Sequence, residues 1–207
     1  MTMARIAIIG TGRMATGLGV GWVRAGHEVV FGSRTPEKPS GRATVIEGAR
    51  IVGYGEALDG AEVIVITLPF TAVEGFAAQH AAALRGRLVI DISNPFNHLP
   101  DNRTSAPEIT AKAIGPGARV AAAFKTNFAE TLLDPVDAGG VARDVFFVSD
   151  SEADAEIVKG LIESLGFRAV DCGPLKNARV LDGMVPLLVE LDARYGGRRK
   201  SSWKLLL

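Results

Sequence analysis

One segment near the start of the chain constrains the fold more than any other: Ile6-Ala7-Ile8-Ile9-Gly10-Thr11-Gly12-Arg13-Met14-Ala15. A β-branched run enters a GxGxxA turn. The segment that follows carries apolar residues at 14, 18, 22 and 25, near the 3.6-residue period of a helix. Gly10 permits the tight turn, Gly12 lets backbone approach a pyrophosphate, and Ala15 is small enough for a helix to pack on the strand. A pyrophosphate then meets the helix N-terminus, where free N–H groups and the helix dipole favour anions. The segment predicts a dinucleotide-binding turn; a purely structural glycine turn is the alternative.

The end of the second strand decides which dinucleotide. An NAD site places Asp or Glu there, about 20 residues after the glycines, to accept from the ribose 2′-OH. This chain reads Val30-Phe31-Gly32-Ser33-Arg34, with Lys38 close behind and no carboxylate at the position. A hydroxyl, a guanidinium that can fork onto phosphate and a second cation predict a 2′-phosphate pocket, hence NADP(H). The alternative is that Arg34 and Lys38 are solvated loop charges.

Short apolar runs recur along the chain: Arg5–Ile9, Glu28–Phe31, Arg50–Tyr54, Val63–Thr67, Leu88–Ile92, Arg119–Phe124, Val145–Ser149 and Phe167–Asp171. Most are continuous rather than alternating, as expected of strands buried on both faces of a parallel sheet. Helical segments are expected over Met14–Ala25, Thr71–Leu84 (capped by Thr71), Pro107–Ile114, a run to Leu165 capped by Asp150 or Ser151, and Asn177–Tyr195, the last kinked at Pro186. The 15 residues between Arg34 and Arg50, with Pro36, Pro39 and Gly41, predict a connection that is mostly loop. Together these predict an α/β, Rossmann-type, doubly wound and mostly parallel sheet with a small C-terminal α/β lobe. The expected division is residues 1–127 for NADP binding and 128–207 for the lobe.

Composition narrows the function classes. Lys plus Arg and Asp plus Glu both total 23 of 207 residues, so a nucleic-acid or membrane-surface partner, which needs a basic excess, is not expected. No apolar run reaches the ~18 residues of a membrane span, and the Ile6–Ile9 run is too short for a signal-peptide core. A cytoplasmic location is expected. One cysteine, Cys172, forms no intrachain disulfide, and three histidines without HxxxH spacing make a metal site unexpected. GxSxG, GxxxxGK[ST] and HExxH are absent.

Three further strand ends gather small, polar and proline residues: Thr67-Leu68-Pro69-Phe70, Asp91-Ile92-Ser93-Asn94-Pro95-Phe96 and Phe124-Lys125-Thr126-Asn127. They fall on the edge where open parallel sheets bind ligands, so a nicotinamide pocket is expected there. No catalytic acid or base stands out. His27 reads as a capping residue, and His98 as a candidate substrate contact. Hydride transfer between two held redox groups requires alignment in an occluded apolar pocket rather than a proton donor.

These residues resemble the coenzyme F420-dependent NADP oxidoreductases, and more distantly the reductase domains of the STEAP ferric reductases. The stretches that carry the resemblance are GTGRMATGL at 10–18, AGHEVVFGSR at 25–34, VIVITLPF at 63–70, DISNPF at 91–96 and LGFRAVDCGPLKNARVLD at 165–182, with WKLL at the end. The resemblance implies a pyrophosphate loop at Gly10, Thr11, Gly12, Arg13 and Met14, and 2′-phosphate contacts at Ser33, Arg34 and Lys38. It implies a nicotinamide-ribose side at Leu68, Pro69, Asn94, Pro95 and Asn127, and a deazaflavin side near Ser201. The implied reaction moves hydride between NADP(H) and a small-molecule redox acceptor, coenzyme F420 or another flavin-like molecule such as FMN or FAD; a ferric chelate is a further candidate.

Two departures stand out. Lys125 replaces the neutral amide usual in bacterial members, reading either as a lysine reaching solvent or as a cation at the acceptor pocket. Residues 194–207 carry five basic and no acidic side chains, reading either as an acceptor-phosphate contact or as a solvated terminus. Other functions weighed are an imine or 3-hydroxyacid-type dehydrogenase and a non-catalytic NADPH sensor. The apolar face of the last helix (Val180, Leu181, Met184, Leu187, Leu188, Leu191) suits either core or, by preference, a homodimer surface.

Overall fold

The computed structural model describes residues 3–38, 46, 49–96, 98–99 and 103–206. Every apolar run expected as a strand is one: β1 (Arg5–Ile9), β2 (Glu28–Ser33), β3 (Arg50–Gly53), β4 (Val63–Ile66), β5 (Leu88–Asp91), β6 (Arg119–Ala122), β7 (Asp144–Ser149) and β8 (Arg168–Asp171). They form one sheet in the order β3-β2-β1-β4-β5-β6-β7-β8. All neighbours are parallel except β6 and β7, which are antiparallel. The order reverses between β1 and β4, the topological switch where an open α/β sheet has its crevice. Ile9 pairs with both Gly32 and Ile66, and Asp91 with both Ile66 and Ala122. The register therefore brings the segments after β1, β2, β4, β5 and β6 to one sheet edge.

Alternate residues of the central strands bury to opposite faces. Ile6 and Ile8 join Leu18, Trp22, Phe124 and Phe147 on one side; Ala7 and Ile9 join Ala57, Leu58, Val73 and Phe76 on the other. Helix α1 (Arg13–Arg24) covers the first side. Its Trp22 is buried, meets Phe124 edge-on with ring centroids 6.1 Å apart, and donates its indole N–H to the Leu161 carbonyl at 3.1 Å. The helix approaches the sheet closely through its glycines: a Cβ on Gly19 would lie 2.3 Å from Cζ of the buried Phe31. Gly19→Ala should therefore lower stability by about 1–3 kcal/mol through overpacking, outweighing the roughly 1 kcal/mol that alanine gains in helix propensity. Urea denaturation checks this, and a stabilised variant would show that Phe31 moves aside freely.

The remaining helices are α2 (Tyr54–Leu58), α3 (Phe70–Gln79), α4 (Ala81–Leu84), α5 (Ala106–Ile114), α6 (Glu152–Glu163) and α7 (Ala178–Arg194). The single helix expected over Thr71–Leu84 is two, and it begins after Pro69 rather than at a Thr71 cap. His80, at φ −107° and ψ 16°, breaks the helix, and its ring lies 4.8 Å from Phe76 and 6.0 Å from Tyr54. Helix α2 was not expected, because five residues flanked by Gly53 are too short to show a helical period. Ser105 and Glu108 form a capping box at α5, and the Ser151 hydroxyl caps α6 by accepting from the Asp154 N–H. His27 closes the end of α1 through its backbone N–H to the Trp22 carbonyl, but its imidazole instead accepts from the Ala4 N–H at 3.2 Å. Burial holds that imidazole below its ordinary pKa. Most of the expected loop between Arg34 and Arg50 lies outside the described residues.

Helix α7 runs through Pro186, and its apolar stripe divides. Leu181, Val185 and Leu188 are buried, while Val180 and Leu187 are exposed. The C-terminal tail is anchored to the lobe, although Arg198, Arg199 and Lys200 stay exposed. The buried Asp144 takes Arg168 Nε and Lys204 Nζ on Oδ1, both at 2.8 Å, and the Leu205 N–H on Oδ2 at 2.8 Å. Arg143 donates to the Lys200 carbonyl at 2.7 Å.

Candidate active site

A cavity of about 490 Å³ opens at the switch point between β1 and β4. Gly12, Arg13 and Met14 contribute from the first turn, and Thr67, Leu68, Pro69 and Phe70 from the end of β4. Ile92, Ser93, Asn94 and Phe96 follow β5, and residues 125–129 follow β6. Val185, Leu188 and Val189 of α7 supply an apolar wall, and Arg199 reaches in from the tail. Four separate strand ends thus meet in one concavity.

The turn has the geometry that its glycines suggested. Gly10 has φ 121°, and a Cβ there would lie 2.5 Å from Thr67 Oγ1. The Gly10 N–H donates to the Gly32 carbonyl at 2.9 Å. A Cβ on Gly12 would meet nothing within 4 Å, so this backbone faces open space at the start of α1. Ala15 is fully buried behind it.

The floor is polar and buried. Ser93, Thr126 and Asn127 are buried, and Asn94 is half-buried. Asn94 Nδ2 donates to the Lys125 carbonyl at 3.0 Å, and Asn127 Nδ2 to the Asp144 carbonyl at 3.0 Å. Ser93 Oγ, Asn94 Oδ1, Thr126 Oγ1 and Asn127 Oδ1 are buried without a hydrogen-bond partner. Buried polar atoms are nearly always paired, so four orphans in one cavity wall suit a ligand that carries its own donors.

Lys125 lines the cavity but does not reach solvent. Its side chain is fully buried, pairs with Asp182 Oδ1 of α7 at 2.8 Å, and donates to the Ser93 carbonyl. Asp182 also accepts from the Ala106 N–H at 2.8 Å. Burial pushes the Asp182 carboxyl above its ordinary range, and the Lys125 ammonium pulls it partly back. Beside it, the buried Asp91 accepts from the Ser93 N–H at 2.7 Å and from the Thr110 hydroxyl at 2.5 Å. The pair ties α7 and the start of α5 to the end of β5.

Of the residues singled out from the sequence, Gly12, Arg13, Met14, Leu68, Pro69, Asn94 and Asn127 line this cavity. Pro95 is buried next to the wall without lining it. Gly10 and Thr11 form the turn that carries Gly12. Ser33, Arg34 and Lys38 stand apart at the end of β2; Ser33 is buried and accepts from the Thr35 N–H at 3.2 Å, while Arg34 and Lys38 are exposed. Ser201 does not line the cavity. Its N–H donates to Asp192 Oδ1 at 3.1 Å, and the tail residue that reaches the cavity is Arg199. His98 is exposed and stacks on Phe70 with centroids 6.0 Å apart. Sequence reasoning missed the wall from α7, although Val185, Leu188 and Val189 have the i, i+3, i+4 spacing of one helical face. Among the described residues no cluster of His, Cys, Asp and Glu is arranged for a metal ion, and no helix is long and apolar enough to cross a membrane.

Comparison with known proteins places these features in context. The sequence signature of the family described as NADP oxidoreductase, coenzyme F420-dependent, matches residues 5–95. The chain is 34% identical to the F420-dependent NADP reductase of Methanothermobacter marburgensis, over 92% of this chain and 93% of that protein. It is 29% identical to the metalloreductase STEAP3 of Rattus norvegicus, over 88% of this chain but only 36% of that protein. Among solved structures, a candidate F420-dependent NADP reductase from Arthrobacter sp. FB24 superposes with a TM-score of 0.89 at 26% identity, covering 99% of this chain and 100% of that one.

Proposed function

The chain belongs to the family of coenzyme F420-dependent NADP oxidoreductases, and from that membership we propose that it transfers hydride between NADP(H) and coenzyme F420 in the switch-point cavity. The observation that carries this reading is the convergence, in one cavity, of an open glycine turn with four orphaned buried polar atoms. Bound NADPH supplies a hydride from its nicotinamide ring. The residues present suit that molecule. The backbone at Gly10, Thr11 and Gly12, with Arg13 and Met14 opening α1, suits the pyrophosphate. Ser33, Arg34 and Lys38 suit the 2′-phosphate.

Leu68 and Pro69 bound the nicotinamide side, where Asn94 and Asn127 offer amide groups and Pro95 stiffens the loop. Val185, Leu188 and Val189 supply an apolar surface against which an acceptor ring can lie with water excluded. This chain's contribution to rate is then alignment of donor and acceptor carbons, which can remove several kcal/mol of barrier. No side-chain acid or base is assigned. We assign residues 1–127 to nucleotide binding and 128–207 to a lobe that completes the acceptor side, a division supported by the antiparallel turn from β6 to β7. A cytoplasmic enzyme is the expected setting. The exposed Val180 and Leu187 on α7 support a homodimer.

The test is direct. Protein and NADPH are mixed with coenzyme F420, FMN, FAD or a ferric chelate, and loss of nicotinamide absorbance is followed. Turnover is expected with F420 above the others. Preference for FMN, FAD or the chelate would reassign the acceptor, and turnover with none would leave an NADPH-binding protein without this activity.

A further inference from the structure

The rim of the cavity carries an ion cluster that hydride transfer itself does not require. Glu130, in a short helical turn after β6, accepts on Oε1 from Arg13 at the start of α1 and from Arg199 Nε of the tail at 2.8 Å. Its Oε2 is buried and unpartnered. Burial raises the Glu130 carboxyl, but its own backbone N–H and the two guanidiniums more than offset this and leave it below its ordinary range. The Arg199 guanidinium lies over the Phe128 ring, 4.9 Å from its centroid. Arg13, Phe128 and Arg199 all line the cavity, and both arginine side chains remain more than half exposed.

The tail is built to hold Arg199 in this place. Arg198 and Arg199 are consecutive non-glycine residues in the left-handed region, at φ 53° and 61°. Such strain persists only where surrounding structure over-determines it, and it concentrates at functional sites. Here the buried Asp192 of α7 supplies the determination. Its carboxylate accepts from the Arg199 N–H at 2.8 Å and the Ser201 N–H at 3.1 Å, and its carbonyl accepts from the Gly197 N–H at 2.8 Å. Lys200, Ser202 and Lys204 are tied down beyond it by Arg143 and Asp144.

We propose that Arg199 forms an anion subsite on the cavity rim that holds an anionic tail of the acceptor, with Glu130 occupying its guanidinium until that anion displaces it. One Glu130 carboxylate oxygen serves both Arg13 and Arg199, so Arg199 retains N–H donors for a second anion, and the three side chains together carry a net charge of +1. Arg199 stands beside the apolar wall of α7, where the acceptor ring is placed, whereas Arg13 belongs to the nucleotide turn. A ring held against Val185, Leu188 and Val189 would pass its tail across Arg199 and Phe128 to solvent. The subsite thus selects acceptors with an anionic tail over a bare ring. The inference rests on the hydride-transfer reading above.

The test compares coenzyme F420 with its tail-free deazaflavin headgroup in wild type, Arg199→Gln and Arg199→Lys. Arg199→Gln should raise KM for F420 about tenfold or more, the effect of one lost hydrogen bond to a charged group. KM for the headgroup and Kd for NADPH should stay unchanged, Arg199→Lys should fall between, and the F420 difference should shrink in high salt. Glu130→Gln should lower KM for F420, because the competing carboxylate is gone. Equal effects of Arg199→Gln on F420 and headgroup, no effect on either, or an equal loss of NADPH binding would each overturn the subsite. If wild type reduces neither acceptor, the hydride-transfer reading fails. The subsite is then decided by F420 fluorescence titration: binding lost in Arg199→Gln supports it, and unchanged or absent binding overturns it.

Discussion

Lys125→Met is expected to destabilise the protein by about 3–5 kcal/mol, because it leaves the Asp182 carboxylate buried without its cation. Methionine fills most of the lysine's volume, so the loss reports charge rather than cavity formation. The effect should depend on pH. Burial already raises Asp182 above its ordinary value of 3.8, and Lys125 opposes that rise more than the Ala106 N–H does. With Lys125 gone, the folded-state pKa climbs further. A group whose folded pKa is raised contributes its stability below the unfolded pKa and loses it as pH rises through the folded one. The variant should therefore be weakest at neutral and alkaline pH and recover part of its deficit as pH falls toward 3.8. Lys125→Met with Asp182→Asn should regain most of the stability, since asparagine can still accept from the Ala106 N–H and no charge is stranded. Urea denaturation across pH decides this. A pH-independent loss under about 1 kcal/mol would show that the pair is not a desolvated one.

Arg34→Ala should weaken NADPH binding by roughly 10- to 150-fold and leave NADH nearly unchanged. The 2′-phosphate carries close to two negative charges near neutral pH, and a hydrogen bond to a charged group contributes about 1.5–3 kcal/mol. At 1.4 kcal/mol per tenfold, that range gives the stated factor. Arg34 is exposed at the end of β2, free to fork onto phosphate, and close enough to Tyr54 to act on its phenol electrostatically. Ser33 is buried next to it and accepts from the Thr35 N–H, which leaves its hydroxyl proton to donate. Ser33→Asp should act more strongly, since a carboxylate there repels phosphate and accepts from a free ribose hydroxyl. Isothermal titration with both dinucleotides measures the effect. Equal weakening of NADPH and NADH, or equal wild-type affinities, would remove the 2′-phosphate assignment.

The sequence by itself determined the strands, the glycine turn and the residues that gather at the strand ends. Those features are local: β-branched runs buried on both sides need no partner to be recognised, and the φ of 121° at Gly10 is a demand a single residue type meets. Even so, the five-residue α2 and the break at His80 were not legible, because a segment that short shows no period and the break rests on contacts with Phe76 and Tyr54. What only the tertiary structure decided lies where distant segments meet. Lys125 reads as a solvent-reaching lysine or a cation at the acceptor pocket until Asp182, 57 positions away in sequence, is found against its ammonium. The basic tail reads equally as an acceptor-phosphate contact or a solvated terminus; only the fold shows Asp144 and Asp192 anchoring it and Arg199 rather than Ser201 reaching the cavity. The energy of a buried charge depends on which partner replaces its water, and folding chooses that partner from residues whose spacing along the chain carries no trace of the choice.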